Sequence, residues 1–269
     1  MRNYLTLLQE ILETGIDTPN RTGIHTRNIY CKQLQFDLSQ GFPLVTTKKT
    51  HFKSIAVELL WYLRGDTDTK FLEEHNVTIW REWEGEDGYV GKIYPYQFIR
   101  WDRYDPVYFE ITHINQIQVL IDTIKKDPHS RRLLVSAWNV SDLDQMALPP
   151  CHYSFMVYIT GDRLNLQFIM RSSDFFLGAP YNFASYALLT HMLAQVTGYK
   201  PGTVTYTANS VHLYHNHFEQ AKLQLTRDPL PLPTLKLNPD VKDIFDFRYE
   251  DITLENYKSH AAIKADVAI

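Results

Sequence analysis

The stretch that decides the fold is Tyr153-Ser154-Phe155-Met156-Val157-Tyr158-Ile159-Thr160, followed by Gly161-Asp162 and then Leu164-Asn165-Leu166-Gln167-Phe168-Ile169-Met170. Both runs are rich in β-branched and aromatic residues, and the Gly-Asp pair between them is a turn signal. The segment therefore predicts a β-hairpin. Two further runs have strand composition, residues 132–138 before the hairpin and residues 203–207 after it.

Helical patterns surround these strands. In several segments apolar residues recur three or four positions apart and a Gly or Pro stop signal follows. The predicted helices cover residues 5–12 with a stop at Gly15, 54–64, 114–124, 182–196 and 212–225. Residues 229–233 predict an extended surface segment, and residues 244–249 predict short strands. Because strands and helices do not alternate regularly, the pattern predicts an α+β fold rather than a doubly wound sheet.

The composition indicates a folded protein without a basic excess. The chain has 269 residues, of which 44% are hydrophobic and 13% aromatic, and its formal net charge is -4. These values exclude a disordered chain and argue against a general binder of nucleic acid or membrane surfaces. Glu10 and Glu13 occur too early for a secretory signal, and no apolar run reaches the roughly 18 residues of a membrane span. We therefore expect a cytoplasmic protein.

The two cysteines, Cys31 and Cys151, are too few for a disulfide framework and lack the spacing of a zinc site. Cys151 follows Pro149-Pro150, which restricts the backbone just ahead of the thiol. This arrangement suggests a nucleophile held in place, with a small buried side chain as the alternative. Because a thiol attacks as its thiolate, we expect positive charge nearby to lower its pKa, from Arg131-Arg132 or from Arg171.

A carboxylate lies inside the predicted helix over residues 54–64. Glu58 occurs within Ile55-Ala56-Val57-Glu58-Leu59-Leu60-Trp61-Tyr62-Leu63, so apolar groups are expected to surround it. A carboxylate in such surroundings must find a partner or its pKa must rise. Glu58 is therefore a candidate for a perturbed carboxyl group.

Three arginine-containing clusters predict a phosphorylated ligand. They are Arg21-Thr22-Gly23, Ser130-Arg131-Arg132 and Arg171-Ser172-Ser173-Asp174. Guanidinium groups and hydroxyls together bind a phosphate dianion. A single cluster of this kind is more often solvated surface, and the hypothesis depends on there being three.

Asn182 follows Gly178-Ala179-Pro180-Tyr181 at the predicted start of a helix. The position suits a helix N-cap. The paired donor and acceptor of the amide also suit the edge of a base such as uracil, which has a carbonyl next to an N–H. Both interpretations remain open at this point.

Two other motifs have alternative interpretations. His212-Leu213-Tyr214-His215-Asn216-His217 has the composition of a metal site, but its spacing matches no common ligand set and no carboxylate is interleaved. A His-Tyr pair that recognises a hydroxyl group fits better. Trp80 and Trp83 are either core residues or a wall that shields a reactive intermediate from water.

Taken together, these segments resemble the thymidylate synthase family over essentially the whole chain. The matching runs are Arg21-Thr22-Gly23, Gly41-Phe42-Pro43-Leu44-Val45-Thr46-Thr47-Lys48, Glu58-Leu59-Leu60-Trp61, Ser130-Arg131-Arg132, Pro150-Cys151-His152, Arg171-Ser172-Ser173-Asp174, Phe176-Leu177-Gly178, Asn182 and His212-Leu213-Tyr214. The resemblance implies one catalytic domain over residues 1–269, with a large mixed β-sheet flanked by helices. It also implies a homodimer formed through a face of that sheet.

The resemblance implies the transfer of a one-carbon unit from 5,10-methylenetetrahydrofolate to dUMP, with no metal. Cys151 matches the nucleophile, Asn182 the residue that recognises uracil, and Glu58 a proton relay through ordered water. Tyr94 matches the tyrosine implicated in removing the proton from carbon 5, and His152 matches a residue beside the water network.

The resemblance also implies which residues bind each of the two substrates. For dUMP these are Arg21, Arg171, Ser172, Asp174, Asn182, His212 and Tyr214, with Arg131 and Arg132 donated by the partner subunit. For the folate they are Lys48, Ile79, Trp80, Trp83, Asp174, Gly178, Tyr181 and Ala268. Among these, Lys48 matches a basic residue facing the glutamate tail, and Val267-Ala268-Ile269 match a segment that closes over the ligands.

Three departures from the family pattern bear on the product. Met170 stands where most relatives have Gln, Pro95-Tyr96-Gln97-Phe98 stands where Gly-Lys-Gln-Trp is usual, and Asp266 stands where Pro is common. The methionine suggests the related dUMP hydroxymethylases, in which water quenches the exocyclic methylene. The retained Trp80 and the apolar tail favour methylation.

Asn182, rather than an acid at that position, favours dUMP over dCMP.

Two rivals of other classes are a non-catalytic relative that binds nucleotide or RNA as a regulator, and a metal hydrolase built on His212, His215 and His217. The joint presence of the thiol, the amide, the carboxylate and the arginines argues against both.

Overall fold

Helices and strands occur along the whole chain, and the computed structural model describes residues 1–268. The helices of this range are α1 Arg2–Thr14, α2 Phe52–Arg64, α3 Lys70–Glu74, α4 Tyr94–Ile99, α5 Gln116–Lys126, α6 Gly178–Thr197 and α7 Phe218–Leu225. The strands are β1 Ile16–Thr18, β2 Thr26–Asp37, β3 Trp101–Asp105, β4 Glu110–Ile114, β5 Leu134–Ser136, β6 His152–Thr160, β7 Arg163–Asp174, β8 Lys200–Tyr214, β9 Thr234–Leu237 and β10 Ile252–Glu255.

Six of these strands form one mixed sheet in the order β1-β2-β8-β7-β6-β5. All neighbouring pairs are antiparallel except β7 and β8, which run parallel. A parallel pair needs a crossover connection, and α6 supplies it. The predicted hairpin is confirmed as β6 and β7, which turn at Gly161 with a φ of 59°. The prediction of an α+β fold with one large mixed sheet and flanking helices is confirmed.

Helix α6 is the centre of the core. Fourteen of its twenty residues are buried, so it is apolar on all sides rather than amphipathic. It packs against β7 and β8 on one side and against α2 and α5 on the other. Burial of each large apolar side chain contributes about 1.5–3 kcal/mol, so this helix fixes the positions of α2 and the sheet. Those elements carry the residues of the site.

Three adjacent strands interrupt their pairing at one level of the sheet. Cys31 in β2, Asn209 in β8 and Arg171 in β7 have no partner in the ladders, although the residues on either side of each are paired. Cys31 has a φ of 57°. On one side of this level the core side chains are at even-numbered positions, and on the other side they are at odd-numbered positions. Buried residues that show this shift include Phe36 and then Ile29 in β2, Val204, Tyr206 and Ala208 and then Val211 and Leu213 in β8, and Leu166, Phe168 and Met170 and then Ser173 in β7. Thr26 and Asn28 in β2 are also buried, and they line the cavity.

Several predicted boundaries are wrong. The strand predicted over residues 132–138 is only Leu134–Ser136, whereas the one predicted over 203–207 extends over Lys200–Tyr214. The helix predicted from residue 212 begins at Phe218, because residues 211–214 pair with β2 and alternate between buried and half-buried side chains. The short strands predicted over 244–249 are instead the 3-10 helices Ile244–Asp246 and Tyr249–Asp251, and Asp243 caps the first by accepting from the N–H of Phe245.

No helix within residues 1–268 has both the length and the apolar character needed to cross a membrane.

Candidate active site

A cavity of about 1070 Å³ opens beside the level where the three strands interrupt their pairing. It is lined from the sheet, from α2, α4 and α6, and from the carboxyl-terminal tail. The predicted site residues that line it are Arg21, Glu58, Ile79, Trp80, Trp83, Tyr94, Cys151, His152, Arg171, Ser172, Asp174, Gly178, Tyr181, Asn182, His212, Tyr214 and Ala268. One open cavity therefore brings together residues that are up to 247 positions apart in the chain.

Hydrogen bonds fix the backbone around Cys151 on both sides. Its N–H donates to Tyr94 Oη at 2.6 Å, and its carbonyl accepts from the N–H of Arg171 at 2.9 Å. The Arg171 guanidinium donates to the carbonyl oxygens of Pro149 and Pro150 at 2.8 and 2.9 Å, and its Nη2 lies 3.8 Å from Cys151 Sγ. Arg171 thus stabilises the proline-containing segment that is predicted to hold the thiol in place.

The expectation that positive charge lowers the Cys151 pKa is wrong in its net direction. Burial raises the pKa of the thiol above its ordinary value, and the charges of Arg171 and Arg21 oppose this without cancelling it. Arg131 and Arg132 are exposed residues just before β5, and they do not line the cavity of this subunit. Because the two nearby guanidiniums still favour the thiolate, their removal would raise the pKa further.

Tyr94 and His152 form a stacked pair behind the thiol. Their ring centroids are 4.0 Å apart with an interplanar angle of 8°, and His152 Nδ1 lies 2.9 Å from the hydroxyl of Tyr186. Burial lowers the pKa of His152 to about 3, so the imidazole is neutral at physiological pH. Burial also holds the pKa of Tyr94 well above its ordinary value, so Tyr94 keeps its proton. Since its oxygen accepts from the Cys151 N–H, the phenolic hydrogen is free for another acceptor.

Glu58 lies on the side of α2 that borders the cavity, between the buried residues Val57 and Leu59. Trp80 Nε1 donates to Glu58 Oε1 at 2.7 Å. Burial raises the pKa of the carboxyl to about 7, against the opposing effects of the hydrogen bonds from Trp80 and Tyr62. Glu58 is half-buried and lines the cavity, so a carboxyl group with this raised pKa can take up or release a proton there near neutral pH.

The start of α6 presents two polar groups to the cavity. Asp174 Oδ1 accepts from the N–H groups of Phe176 and Leu177 at 3.0 and 3.1 Å, which fixes the turn that leads into the helix. The helix begins at Gly178, so Asn182 lies inside it and the N-cap interpretation is wrong. Its side chain borders the cavity, where its amide is available to a ligand.

His212 and Tyr214 lie on β8, two positions apart and on the same face. Their rings are 5.3 Å apart at 87°. Burial lowers the pKa of His212, against the opposing charge of Asp174, its partner on the neighbouring strand. On the same face Ser172 pairs with Ser210, and Arg21 approaches from the turn between β1 and β2. This end of the cavity combines guanidiniums with hydroxyls.

Several residues that line the cavity were missed in the sequence. Thr26, Asn28 and Tyr30 lie on β2, a strand that the composition did not bring out, and they face the cavity next to Ser210. Asn28 Oδ1 accepts from Ser210 Oγ at 3.2 Å, which joins β2 to β8 here. The alternation of apolar and polar residues in Leu34-Gln35-Phe36-Asp37, further along the same strand, was the available signal. Tyr186 lies in the uniformly apolar α6, where no pattern marks it as polar support.

Lys48 does not line the cavity. It is buried, its ammonium donates to the carbonyl oxygen of Phe176, and Nζ lies 3.5 Å from the centroid of the Phe176 ring. Burial lowers the pKa of Lys48 to about 7, against the opposing charge of Asp174. In this conformation Lys48 therefore does not face a folate tail, and it supports the turn before α6.

The described residues contain no cluster of three or more groups arranged to bind a metal ion. The histidines of residues 212–217 diverge: His212 faces the cavity, His215 Nε2 lies 3.1 Å from Asp17 Oδ1, and His217 Nε2 donates to the carbonyl oxygen of Asp266. This divergence removes the basis for a metal hydrolase built on these three side chains.

The family model described as thymidylate synthase matches residues 2–269. The chain belongs to the thymidylate synthase family. The protein is accordingly a one-carbon transferase that acts on dUMP, and methylenetetrahydrofolate is the co-substrate of the family. Membership of the thymidylate synthase family accounts for a cavity with a thiol at its centre and arginines at one end.

Proposed function

We propose that the protein converts dUMP and 5,10-methylenetetrahydrofolate to dTMP and dihydrofolate through a covalent bond between Cys151 and the nucleotide. The observation that carries the proposal is the arrangement around Cys151 Sγ, with Arg171 Nη2 at 3.8 Å and with Glu58 and Asn182 lining the same cavity. A thiol, a carboxyl that titrates near neutrality and a free amide are the groups that this reaction needs.

We place the nucleotide in the orientation that matches its phosphate, sugar and base to the groups that line the cavity. Its phosphate would lie against Arg21, Arg171 and Ser172, and its deoxyribose hydroxyl against His212 and Tyr214. The uracil edge would then reach Asn182, whose amide presents one donor and one acceptor, with Asp174 beside it. In this orientation the ring lies over Cys151.

In the first step Cys151 adds as a thiolate to carbon 6 of the uracil, and the electron pair of the 5,6 double bond moves toward carbon 5 and oxygen 4. Carbon 5 then forms a bond to the methylene carbon that the folate supplies. Loss of the carbon 5 proton, with Tyr94 placed to assist through its free hydroxyl, is followed by cleavage of the bond between the methylene carbon and the folate nitrogen. This leaves an exocyclic methylene on the Cys151-bound ring and releases tetrahydrofolate. Hydride transfer from tetrahydrofolate to that methylene gives the methyl group and dihydrofolate, and departure of the Cys151 thiolate restores the 5,6 double bond.

Glu58 acts as the proton relay of this sequence. Its pKa of about 7 allows it to hold a proton or release one through water at neutral pH. His152 is neutral and bonded to Tyr186, so it supports the water network rather than acting as the base.

The folate would lie against the wall formed by Ile79, Trp80, Trp83, Gly178, Tyr181 and Ala268. Trp80 is 6% exposed and lies in an aromatic cluster, with ring centroids 5.6 Å from Trp61 and 5.8 Å from Trp83. This enclosure, together with Val267 and Ala268 at the mouth of the cavity, supports methylation, because water must be kept from the methylene until the hydride arrives.

A dUMP hydroxymethylase is the alternative, and the observation that favours it concerns Met170. Its side chain is 3% exposed and it pairs in register with His152. A thioether in this place offers only a weak acceptor where most relatives have an amide, which alters the hydrogen bonds available to water beside His152. Water attack would give 5-hydroxymethyl-dUMP and tetrahydrofolate.

We further propose that residues 1–269 form a single catalytic domain that works as a homodimer. Arg131 and Arg132 are exposed in this subunit and lie outside its cavity. Donation of both side chains across a dimer interface on the sheet face would add two guanidiniums to the phosphate end. Two measurements test this arrangement. The activity of the wild type should fall on dilution. Mixing a Cys151→Ser subunit with an Arg131→Ala subunit should give more activity than either variant has alone.

The mass of the nucleotide product tests the reaction. Incubation with dUMP and methylenetetrahydrofolate should add the mass of one methylene group to dUMP, together with the absorbance rise of dihydrofolate. Hydroxymethylation instead adds a further oxygen and gives no such rise. A 5-fluorinated dUMP analogue should remain attached to Cys151, and a Cys151→Ser control should not retain it. Absence of any adduct would reject both reactions and leave a nucleotide-binding regulator.

A further inference from the structure

The carboxyl-terminal tail reaches the cavity after a long irregular path. Residues 257–261 are anchored to the body: His260 N–H donates to the Thr46 carbonyl at 2.8 Å, and Arg227 Nη1 donates to the Ala261 carbonyl at 2.7 Å. Beyond this anchor, Ala265, Val267 and Ala268 line the cavity. Ile269, part of the segment predicted to close over the ligands, lies outside the described residues.

Within residues 262–268 a single hydrogen bond joins the tail to the rest of the described chain. His217 Nε2 lies 2.8 Å from the carbonyl oxygen of Asp266. Since a carbonyl oxygen only accepts, Nε2 must carry the hydrogen in this contact. The other contacts of this part of the tail are apolar, made by the half-buried Ile263 and Ala265. The position of Val267 and Ala268 thus depends on one donor.

His217 is built into the fold as a rigid donor. Its side chain is fully buried, with its ring 5.6 Å from Phe176 and 5.7 Å from Tyr214. It ends the 3-10 turn His215–His217 that directly follows β8. The turn therefore ties the tail to the strand that carries Tyr214 and to the turn that carries Asp174.

We propose that His217 is the positioning residue that holds the carboxyl-terminal tail over the cavity, through its hydrogen bond to the backbone of residue 266. The proposal rests on the proposed function, since its kinetic consequence is the exclusion of water from the methylene transfer. The histidine bonds to a main-chain atom, so the side chain at 266 is free to vary. This accounts for the exposed Asp266 at a position where proline is common.

Three variants separate the hydrogen bond from mere packing. His217→Leu removes the donor. His217→Gln places an amide N–H at the same distance along the side chain and keeps the donor. His215→Gln changes a neighbouring histidine of the same turn that does not contact the tail, and it serves as the matched control.

The direct readout is the rate at which carboxypeptidase releases Ile269, Ala268 and Val267 in turn, followed by intact mass. Loss of one buried hydrogen bond should speed this release about fivefold to tenfold in His217→Leu. His217→Gln and His215→Gln should stay within about twofold of the wild type. Equal release from His217→Leu and the wild type would overturn the proposal. If His217→Leu does not fold, a variant that lacks Asp266, whose carbonyl oxygen is the acceptor, gives the reference rate. Release from His217→Gln at that rate would overturn the proposal as well.

The kinetic readout is a separation of the two substrates. His217→Leu should raise KM for methylenetetrahydrofolate about fivefold to tenfold and increase the hydroxymethyl share of the product, with dUMP binding unchanged. A uniform loss of dUMP binding and turnover would indicate a general structural role and contradict the proposal. If the wild type forms no methylated product, the proposed function fails, whereas the carboxypeptidase comparison still decides the role of His217.

Discussion

Replacement of Glu58 by Gln should make the stability of the protein less dependent on pH. The pKa of Glu58 is raised from an ordinary value of 4.5 to about 7 in the folded state, with burial as the main cause. Gln cannot ionise, but its carbonyl oxygen can still accept from Trp80 Nε1. The variant therefore removes the buried charge while it keeps the observed hydrogen bond.

The sign of the effect follows from proton linkage. Below about pH 4.5 Glu58 is protonated in both the folded and the unfolded chain, and the wild type and variant should be equally stable. The unfolded chain releases the Glu58 proton near pH 4.5 and the folded chain releases it only near pH 7, so the wild type loses stability relative to the variant as the pH rises between these two values. Since each pKa unit corresponds to about 1.4 kcal/mol, the loss reaches at most roughly 3 kcal/mol, and screening by water in the cavity reduces it.

Urea unfolding at pH 5.0 and pH 8.5, at one fixed protein concentration, measures this difference. Glu58→Gln should be more stable than the wild type by about 1–3 kcal/mol at pH 8.5 and by less than about 1 kcal/mol at pH 5.0. Glu82→Gln, an exposed residue at the same cavity, is the matched control and should show no such dependence. An equal stability difference at both pH values would refute the argument that Glu58 is a buried carboxyl with a raised pKa.

Other substitutions test the remaining parts of the site. Cys151→Ser should abolish turnover and leave dUMP binding nearly intact by calorimetry; an unfolded variant would contradict the role of Cys151 as a nucleophile. Asn182→Asp should shift the ratio of kcat/KM values toward dCMP, and an unchanged ratio would refute the assignment of the amide. Arg171→Met should slow iodoacetamide alkylation of Cys151 about tenfold at pH 8, because the nearest charge that favours the thiolate is removed. Equal rates would show that Arg171 does not contribute to the pKa of the thiol. Trp80→Phe removes the donor to Glu58 and should raise the hydroxymethyl share of the product, measured by mass.

The sequence predicted those parts of the fold whose pattern is local. The β6–β7 hairpin has a turn signal between two apolar runs, and α2 has a continuous apolar face with Gly65 after it. Strand β2 was missed because its cavity-facing residues Thr26 and Asn28 are polar and do not produce an apolar strand pattern. Residues 101–112 combine aromatic and charged side chains without a clear period, and they form most of the β3–β4 hairpin, held by an ion pair between Lys92 and Asp102 at 2.8 Å.

The site could be predicted as a set of residue types but not as an arrangement. The resemblance named about half of the residues that line the cavity, whereas the support around them depends on contacts between distant segments. The clamp of Arg171 on Pro149 and Pro150 and the bond between His152 and Tyr186 are of this kind. The burial of Lys48 was also not predictable, because Phe176 lies 128 positions further along the chain.

The interrupted pairing at Cys31, Arg171 and Asn209 divides the sheet into two regions that can change independently. On one side of this level the even-numbered residues, such as Phe168 and Tyr206, pack in the core. On the other side the even-numbered residues, such as Ser172 and His212, line the cavity. A one-residue deletion in β7 before Arg171 would exchange these roles and place Ser172 or Asp174 in the apolar interior. Insertions and deletions should therefore be rejected here even where single substitutions are tolerated. A library that varies Thr26, Asn28 and Ser210 together would alter the polar lining of the cavity and would also remove the hydrogen bond that joins β2 to β8.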